Sequence, residues 1–103
     1  MKVEPKKKHY EIVQEAFFEN VNVLTRYQFT DDVIAMDFFM HKHTKYQNQN
    51  SDEQSKWCCR FEIHYPDLSI RTISYFGYSF LTIGGEGDEI FLQMLEEYNK
   101  RKE

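Results

Sequence analysis

The chain has 103 residues with a formal charge of −4, and 41% of the residues are hydrophobic and 17% aromatic. A chain of this length builds one core of ordinary domain size, and its aromatic content is too high for a disordered protein. The negative charge argues against a nucleic-acid ligand, because a surface that binds phosphate must be basic. We therefore expect one α+β domain over residues 1–103, with frayed ends at 1–5 and 100–103.

Neither membrane insertion nor export is expected. Every apolar run is shorter than the roughly 20 residues that cross a bilayer, and the charged start, MKVEPKKKHYE, is not followed by the apolar stretch of a signal peptide. Cys58 and Cys59 are adjacent, and a disulfide between them would be strained because neighbouring strand residues point to opposite faces. Reduced thiols are typical of the cytoplasm. We expect a cytoplasmic protein.

The first half of the chain changes its hydrophobic period several times. Pro5 can start a helix, and apolar residues recur every three or four positions behind it, which predicts a helix over residues 5–19. The period becomes two over residues 21–29, which predicts a strand. Residues 30–32, Thr-Asp-Asp, are typical of a turn. Renewed alternation then predicts a second strand over residues 34–43.

The middle of the chain reads as two hairpin strands behind a polar loop. The run YQNQNSDEQS at residues 46–55 predicts a mobile loop at the tip of a long hairpin. Alternation resumes over residues 57–65 and 68–76, and Pro66-Asp67 between them is typical of a tight turn. This turn sets the expected cross-strand pairs Tyr65 with Leu68, Ile63 with Ile70, and Glu62 with Arg71.

The last part of the chain predicts a second helix. Residues 78–81 continue the alternation as an optional fifth strand, and the glycines at 84–87 break the sheet. Asp88 can cap a helix over residues 90–98. The order α-β-β-β-β-(β)-α predicts an antiparallel meander of four or five strands, flanked by an N-terminal and a C-terminal helix.

One group of side chains has the chemistry of a metal or thiol site. In the predicted hairpin, the imidazoles of strand two lie near a thiol and an imidazole of strand three, namely His41, His43, Cys58 and His64. Imidazole and thiolate both bind zinc, but a solvated sheet face explains the same residues, and the sequence shows no fourth ligand or supporting shell. We expect no metal, no cofactor and no catalytic residue, with a small metal- or thiol-dependent enzyme as the alternative.

The outer side of the predicted sheet mixes aromatic side chains with arginine, which is typical of an interface core. Its residues are Phe39, Arg60, Arg71, Ile73 and Tyr75. Asp52 and Glu53 add acidic groups from the 46–55 loop. These seven residues are the predicted partner-binding set, provided that both helices pack on the other side of the sheet. A helix on each side would cover the set instead.

The size, charge and composition of the chain together resemble those of a known class of small proteins. In its size, its negative charge, its abundance of Asn, Lys, Phe and Tyr, and its lack of catalytic motifs, the chain resembles small acidic inhibitors carried by bacterial viruses and mobile elements, such as anti-CRISPR proteins. The resemblance transfers no residue roles. It implies a CRISPR nuclease or its guide complex as partner, inhibited by surface occupation. If a virus encodes the chain, it implies the cytoplasm of the host cell as the place of action. The expected function is a non-enzymatic protein-binding module, and a homodimeric structural or regulatory protein is a further alternative.

Overall fold

The computed structural model describes residues 7–77 and 89–102. Within them the elements are β1 His9–Phe18, β2 Val21–Phe29, α1 Asp32–Gln47, α2 Ser51–Gln54, β3 Trp57–His64, β4 Ile70–Gly77 and α3 Glu89–Lys102. The strands form a four-stranded antiparallel sheet in the order β2-β1-β3-β4. The expected α+β class and antiparallel sheet of four strands are confirmed. Among the described helices, none has the length and apolarity needed to cross a membrane.

The order of the elements differs from the predicted meander with its two terminal helices. β1 and β2 form a hairpin, α1 and α2 follow, and β3 then returns to pair with the other side of β1. β2 and β3 therefore run parallel to each other on the two sides of β1, joined by a helical crossover. The helix predicted over residues 5–19 is wrong for the described part of that range, and the strand predicted over 34–43 is also wrong.

β1 is a strand that is buried on both of its faces. Tyr10 and Ile12 point to one side of the sheet, Glu11 and Val13 point to the other, and all four are at most 7% exposed. A central strand of this kind lacks the alternation of apolar and polar residues that marks a half-buried strand. In a strand, residues three apart lie on opposite faces and residues four apart lie on the same face, so the spacing that suggested a helix reflects apolar residues on both faces of β1.

α1 begins at residues that the sequence pattern assigned to a turn. The Asp31 carboxylate accepts hydrogen bonds from the N–H groups of Val33 at 2.7 Å and Ile34 at 3.2 Å, which makes Asp31 a helix N-cap. The buried residues of the helix follow at helical spacing and are Ala35, Met36 and Phe39. Apolar residues are dense enough in this segment to satisfy both periods, so the cap distinguishes helix from strand better than the alternation does.

Residues 46–55 connect α1 to β3, so they are not the tip of a hairpin. Asn50 caps α2 by accepting a hydrogen bond from the Glu53 N–H at 2.8 Å. The Trp57 indole N–H donates to the side-chain oxygen of Gln49 at 2.7 Å, which ties the segment to the first residue of β3. The predicted hairpin loop is therefore replaced by the end of α1 and a capped helical turn.

The β3–β4 hairpin lies where the sequence placed it, but its register differs by one residue. The Tyr65 N–H donates to the Ser69 carbonyl at 2.9 Å, so the loop holds three residues rather than two. Leu68 takes a positive φ of 74°, as the last residue of a three-residue loop does. The observed pairs are His64 with Ile70, Ile63 with Arg71, and Glu62 with Thr72. The predicted pairing of Glu62 with Arg71 is wrong.

The two faces of the sheet carry different kinds of side chain. The aromatic face packs against α1 and α3, and its strand residues include Tyr10, Ile12, Tyr27, Trp57, Cys59, Phe61 and Phe76. Phe39 of α1 lies 5.4 Å from the ring centroids of both Phe61 and Phe76, and Phe91 of α3 lies 5.7 Å from Phe39. The polar face is formed by alternate residues of the same strands, among them His9, Glu11, Arg26, Gln28, Arg60, Glu62 and His64.

The predicted C-terminal helix is present as α3 and continues to Lys102, through residues that were expected to fray. Its Phe91 and Tyr98 are buried, and the Tyr98 hydroxyl donates to the Asp37 carboxylate at 2.6 Å, which fixes α3 against α1. Three predicted features lie outside the described residues, namely the fifth strand at 78–81, the glycine run at 84–87 and the Asp88 cap.

Candidate functional site

The seven residues predicted to bind a partner do not form one surface. Phe39 is 2% exposed and Ile73 is 1% exposed, so placing them on an exposed interface is wrong. Phe39 faces the sheet because its segment is helical. Ile73 is the extra residue of a bulge in β4, between the pairing of Thr72 with Glu62 and that of Ser74 with Phe61.

The other five predicted residues lie nearer the surface. Arg60 and Tyr75 face each other across β3 and β4, and both are half-buried. Arg71 is exposed at the start of β4, and Asp52 and Glu53 are exposed on α2. They are spread over a strand pair and a separate helix, and their part in binding stays a prediction.

The predicted metal or thiol set is split between the two sides of the sheet. His41 and His43 lie on α1, where the His41 side chain is 74% exposed and the His43 ring lies 5.0 Å from the ring of Phe76. Cys58 and His64 lie on the polar face of β3. The four side chains therefore do not share a site, and they support no common metal or thiol chemistry.

A cluster of charged side chains occupies the polar face where β1, β2 and β3 lie side by side. Glu11 of β1 is directly opposite Glu62 of β3, and each carboxylate side chain is only 6% exposed. Like charges directly opposite each other destabilise a sheet, and here a cation bridges them. Nη1 of Arg26 donates to Oε1 of Glu11 at 3.0 Å and to Oε1 of Glu62 at 3.2 Å. Arg60 donates to the other oxygen of Glu62.

The hydrogen bonds keep both carboxylates ionised despite their burial. Burial raises the pKa of Glu11, but hydrogen bonds from His9 and Arg26 outweigh it and leave that pKa below its ordinary value of 4.5. Burial also raises the pKa of Glu62, and hydrogen bonds, first from Arg60, again leave the net pKa lowered. The hydrogen bond to Glu11 raises the pKa of Arg26. Two carboxylates and two guanidiniums therefore balance one another at neutral pH.

Two histidines adjoin this cluster and face the same carboxylate. His9 and His64 are directly opposite in the β1–β3 register, and their rings stack with centroids 4.7 Å apart. Nε2 of His9 is 2.8 Å from Oε2 of Glu11. Nε2 of His64 is 3.5 Å from the same oxygen and 2.9 Å from Oε1 of Glu62. Within residues 7–77 and 89–102, the one group of metal-ligating side chains with all donor atoms within 4.8 Å of one another is His9, Glu11 and His64.

The charged cluster cannot be found from the sequence while β1 is read as a helix. In a strand, residues two apart share a face, so His9 and Glu11 point the same way. The signal is a His-x-Glu sequence at residues 9–11 and a Glu-x-His sequence at residues 62–64. Antiparallel pairing of two such sequences places His opposite His and Glu opposite Glu.

β2 forms one edge of the sheet and is largely exposed. Six consecutive residues, Val21–Arg26, are exposed. The apolar side chains among them are well solvated, with Val21 57%, Val23 44% and Leu24 47% exposed. Despite this exposure, β2 pairs with β1 in continuous register over all nine of its residues. β2 is thus a regular strand with an accessible outer edge.

The backbone of β2 points away from the sheet at alternate residues. The Phe17 N–H donates to the Lys56 carbonyl at 2.7 Å, so the odd-numbered residues of β1 direct their backbone groups toward β3. The even-numbered residues of β1 therefore bond to their partners at 21, 23, 25, 27 and 29 of β2. The intervening residues of β2 direct N–H and C=O outward. These outward residues are Asn22, Leu24, Arg26 and Gln28.

Comparisons with protein-family models, curated proteins and solved structures return no match to this chain. Function must be inferred from its own geometry. Two features carry chemical information, namely the charged cluster with its adjoining histidines and the accessible edge of β2. Histidine and carboxylate can ligate an ion, and an exposed strand edge can pair with another strand.

An apolar cleft between α1, β4 and α3 is a weaker candidate for a site. Its volume is about 170 Å³, and the described residues that line it are Phe39, Met40, His43, Ser74, Phe76, Phe91 and Leu95. Small-molecule sites usually measure roughly 300–1,000 Å³. Burial lowers the pKa of His43, which favours its neutral form in this cleft. The cleft fits a packing gap in the core better than a ligand site.

Proposed function

We propose that the chain is a non-enzymatic protein-binding module that accepts a strand of its partner on the outer edge of β2. The observation that carries this proposal is the run of exposed residues Val21–Arg26 on a regular strand. A row of outward N–H and C=O groups is a template for a further strand. In this mode of recognition, main-chain hydrogen bonds supply affinity and alternate side chains supply specificity.

The side chains of β2 favour pairing with a further strand, because they lack the features that usually keep an edge strand single. Edge strands that must remain single usually carry lysine, proline or a bulge, whereas Val21–Phe29 contains neither Lys nor Pro and pairs without a bulge. Its one charged residue, Arg26, is engaged by two buried carboxylates. A partner strand with apolar residues at two-residue spacing fits the exposed valines on the aromatic-face side.

Affinity capture with a matched pair of variants tests the proposal. Leu24 on β2 and Leu92 on α3 are 47% and 51% exposed, so Leu24→Lys and Leu92→Lys introduce the same charge at similar exposure. We expect Leu24→Lys to lose the partner that the wild-type chain captures from a lysate, and Leu92→Lys to retain it. Loss by both folded variants, or by neither, would contradict binding at the β2 edge.

A CRISPR nuclease or its guide complex is the first partner to test, as the resemblance in size and charge implies. A chain with a charge of −4 is attracted to the basic surfaces of such nucleases during encounter. We expect a stoichiometric amount of the wild-type chain to stop cleavage by a purified effector, with inhibition lost in Leu24→Lys and kept in Leu92→Lys. Undiminished cleavage at tenfold excess of chain would reject this partner class for that effector.

A homodimer is the second candidate, because β2 can pair with itself. Antiparallel pairing of two copies about Thr25 places Val23 opposite Tyr27 and Leu24 opposite Arg26, with no like charges directly opposed. Light scattering at increasing concentration separates the candidates. A dimer mass that reverts to a monomer mass in Leu24→Lys supports self-association, and a monomer mass throughout leaves the edge open to another protein.

A further inference from the structure

We propose that His9, Glu11 and His64 form a binding site for a divalent transition-metal ion, with zinc as the preferred ion. The site lies on the polar face and shares only His64 with the set considered from the sequence. It does not depend on the proposed strand addition at β2, since its three ligands come from β1 and β3. No metal was expected from the sequence, because the ligands converge only once β1 pairs with β3.

The donor atoms already lie close to the spacing that zinc requires. Zinc bonds of about 2.0–2.2 Å in a tetrahedron place ligand atoms about 3.3–3.5 Å apart. Nε2 of His64 and Oε2 of Glu11 are 3.5 Å apart, and Nε2 of His9 and Oε2 of Glu11 are 2.8 Å apart. All three donor atoms fit within 4.8 Å of one another. To bind the ion, Nε2 of His9 exchanges its hydrogen bond to Glu11 for the metal, and Nε2 of His64 exchanges its hydrogen bond of 2.9 Å to Oε1 of Glu62.

The neighbouring side chains hold the ligands in place. Arg26 binds Oε1 of Glu11, while Oε2 lies near both imidazoles and accepts a hydrogen bond of 3.5 Å from the Gln28 amide. Ligating carboxylates in metal proteins are commonly fixed in this way by a second hydrogen bond. The two imidazoles stack across a strand pair, and the His64 side chain is 15% exposed. The sheet already orders these side chains, so binding an ion loses little further conformational entropy.

The donor set selects the class of ion. Two imidazole nitrogens and one carboxylate oxygen match zinc and its neighbours in the first transition series. Magnesium and calcium prefer ligand sets made of oxygen alone. Three protein ligands leave a fourth position for water or an anionic group, and the His9 side chain, 30% exposed, lies on the solvent side of the site. The two carboxylates and two guanidiniums of the cluster balance, so the ion would make this region of the polar face positive.

Zinc titration of the full chain tests the site, after removal of metal with a chelator. We expect isothermal calorimetry at pH 7.5 to give one zinc per chain with a micromolar or lower dissociation constant, and no binding of magnesium. The double variant His9→Ala/His64→Ala should weaken zinc binding at least tenfold. The matched control His41→Ala/His43→Ala removes the other two histidines of the chain and should bind zinc as the wild type does.

A measurement on the wild-type chain keeps the test valid if the double variant fails to fold. Histidine ring nitrogens can be followed by NMR as zinc is added, and we expect the shifts of His9 and His64 to saturate at one equivalent while those of His41 and His43 stay constant. The proposal is overturned if the wild type binds no zinc at 100 μM. A dissociation constant of that size corresponds to a binding free energy of about −5.5 kcal/mol. The proposal is equally overturned if the shifts move at His41 and His43 instead.

Discussion

Both faces of the sheet contain buried side chains, but they bury them by different means. On the aromatic face, Ile12 and Phe61 are fully buried among the rings of α1 and α3. On the polar face, the glutamates Glu11 and Glu62 are each 4% exposed, and the cations Arg26 and Arg60 satisfy them. The aromatic face is held by packing that is not directional. The polar face depends on a few charged contacts with defined geometry, which makes it the better place for a specific site.

The largest effect is expected on the aromatic face. Phe61→Ala removes a ring that is 0% exposed and contacts rings of β1, α1 and α3, so it should lower the free energy of unfolding by about 3–5 kcal/mol. Phe18→Ala, at a site 63% exposed, is the control and should change it by less than about 0.5 kcal/mol. Urea unfolding of both variants checks this. Equal losses would mean that the aromatic face is not the main core.

Removing the bridging cation should have the next largest effect. Arg26→Met leaves two buried carboxylates opposite each other, and the expected loss is about 1–3 kcal/mol, less than for a fully buried pair, because the Arg26 side chain is 43% exposed. Arg101→Met, at an exposed position in the last turn of α3, serves as the control. If both variants lose the same small amount in urea unfolding, the cluster does not stabilise the polar face. Glu62→Gln should recover part of the Arg26→Met loss.

Lowering the pH should destabilise the polar face and have a smaller effect on the aromatic face. The pKa values of Glu11 and Glu62 are lowered in the folded chain from 4.5, so their stabilisation is complete above pH 4.5 and is lost as the pH falls through the folded values. We expect the free energy of unfolding to decline below pH 4.5, and to decline less steeply in Glu11→Gln/Glu62→Gln. Urea unfolding at pH 6, 5, 4 and 3 provides the slopes. Parallel curves for the variant and the wild type would place the acid-sensitive groups elsewhere.

The smallest effect is expected in the segment between α1 and β3. Asn50→Ala removes the N-cap of α2 and should cost about 0.5–1 kcal/mol. Asn99→Ala, at an exposed position within α3, removes no cap and should cost nothing measurable. Thermal melts of the two variants provide the comparison. A loss above about 2 kcal/mol for Asn50→Ala would show that this segment supports the core.

The second half of the chain and the strand Val21–Phe29 could be predicted from the sequence, whereas β1 and α1 could not. β3, β4 and α3 carry local signals, because turn residues bound a clear period of two and the last helix has one apolar side. Even there the register was off by one, since a three-residue loop with Leu68 at positive φ is hard to distinguish from a two-residue turn. β1 is buried on both faces, so its pattern does not reveal a strand.

The candidate sites follow from that difference. Arg60 and His64 could be named from sequence because β3 was recognised as a strand. His9, Glu11 and Arg26 could not be placed beside them, since that requires β1 to be a strand between β2 and β3. The edge position of β2 could not be predicted for the same reason, since it also depends on where β1 lies in the sheet. A strand order of β2-β1-β3-β4 depends on long-range pairing across a helical crossover, which no local pattern of residues encodes.

Amide hydrogen exchange along β2 tests most directly the claim that its outer edge accepts a partner strand. In the isolated monomer, the outward residues should exchange rapidly, while Val23, Thr25 and Tyr27, whose backbone groups face β1, should be protected. Binding of the captured partner should protect the outward residues as well. Protection of the outward residues already in the monomer, or unchanged rapid exchange in the saturated complex, would contradict strand addition at β2.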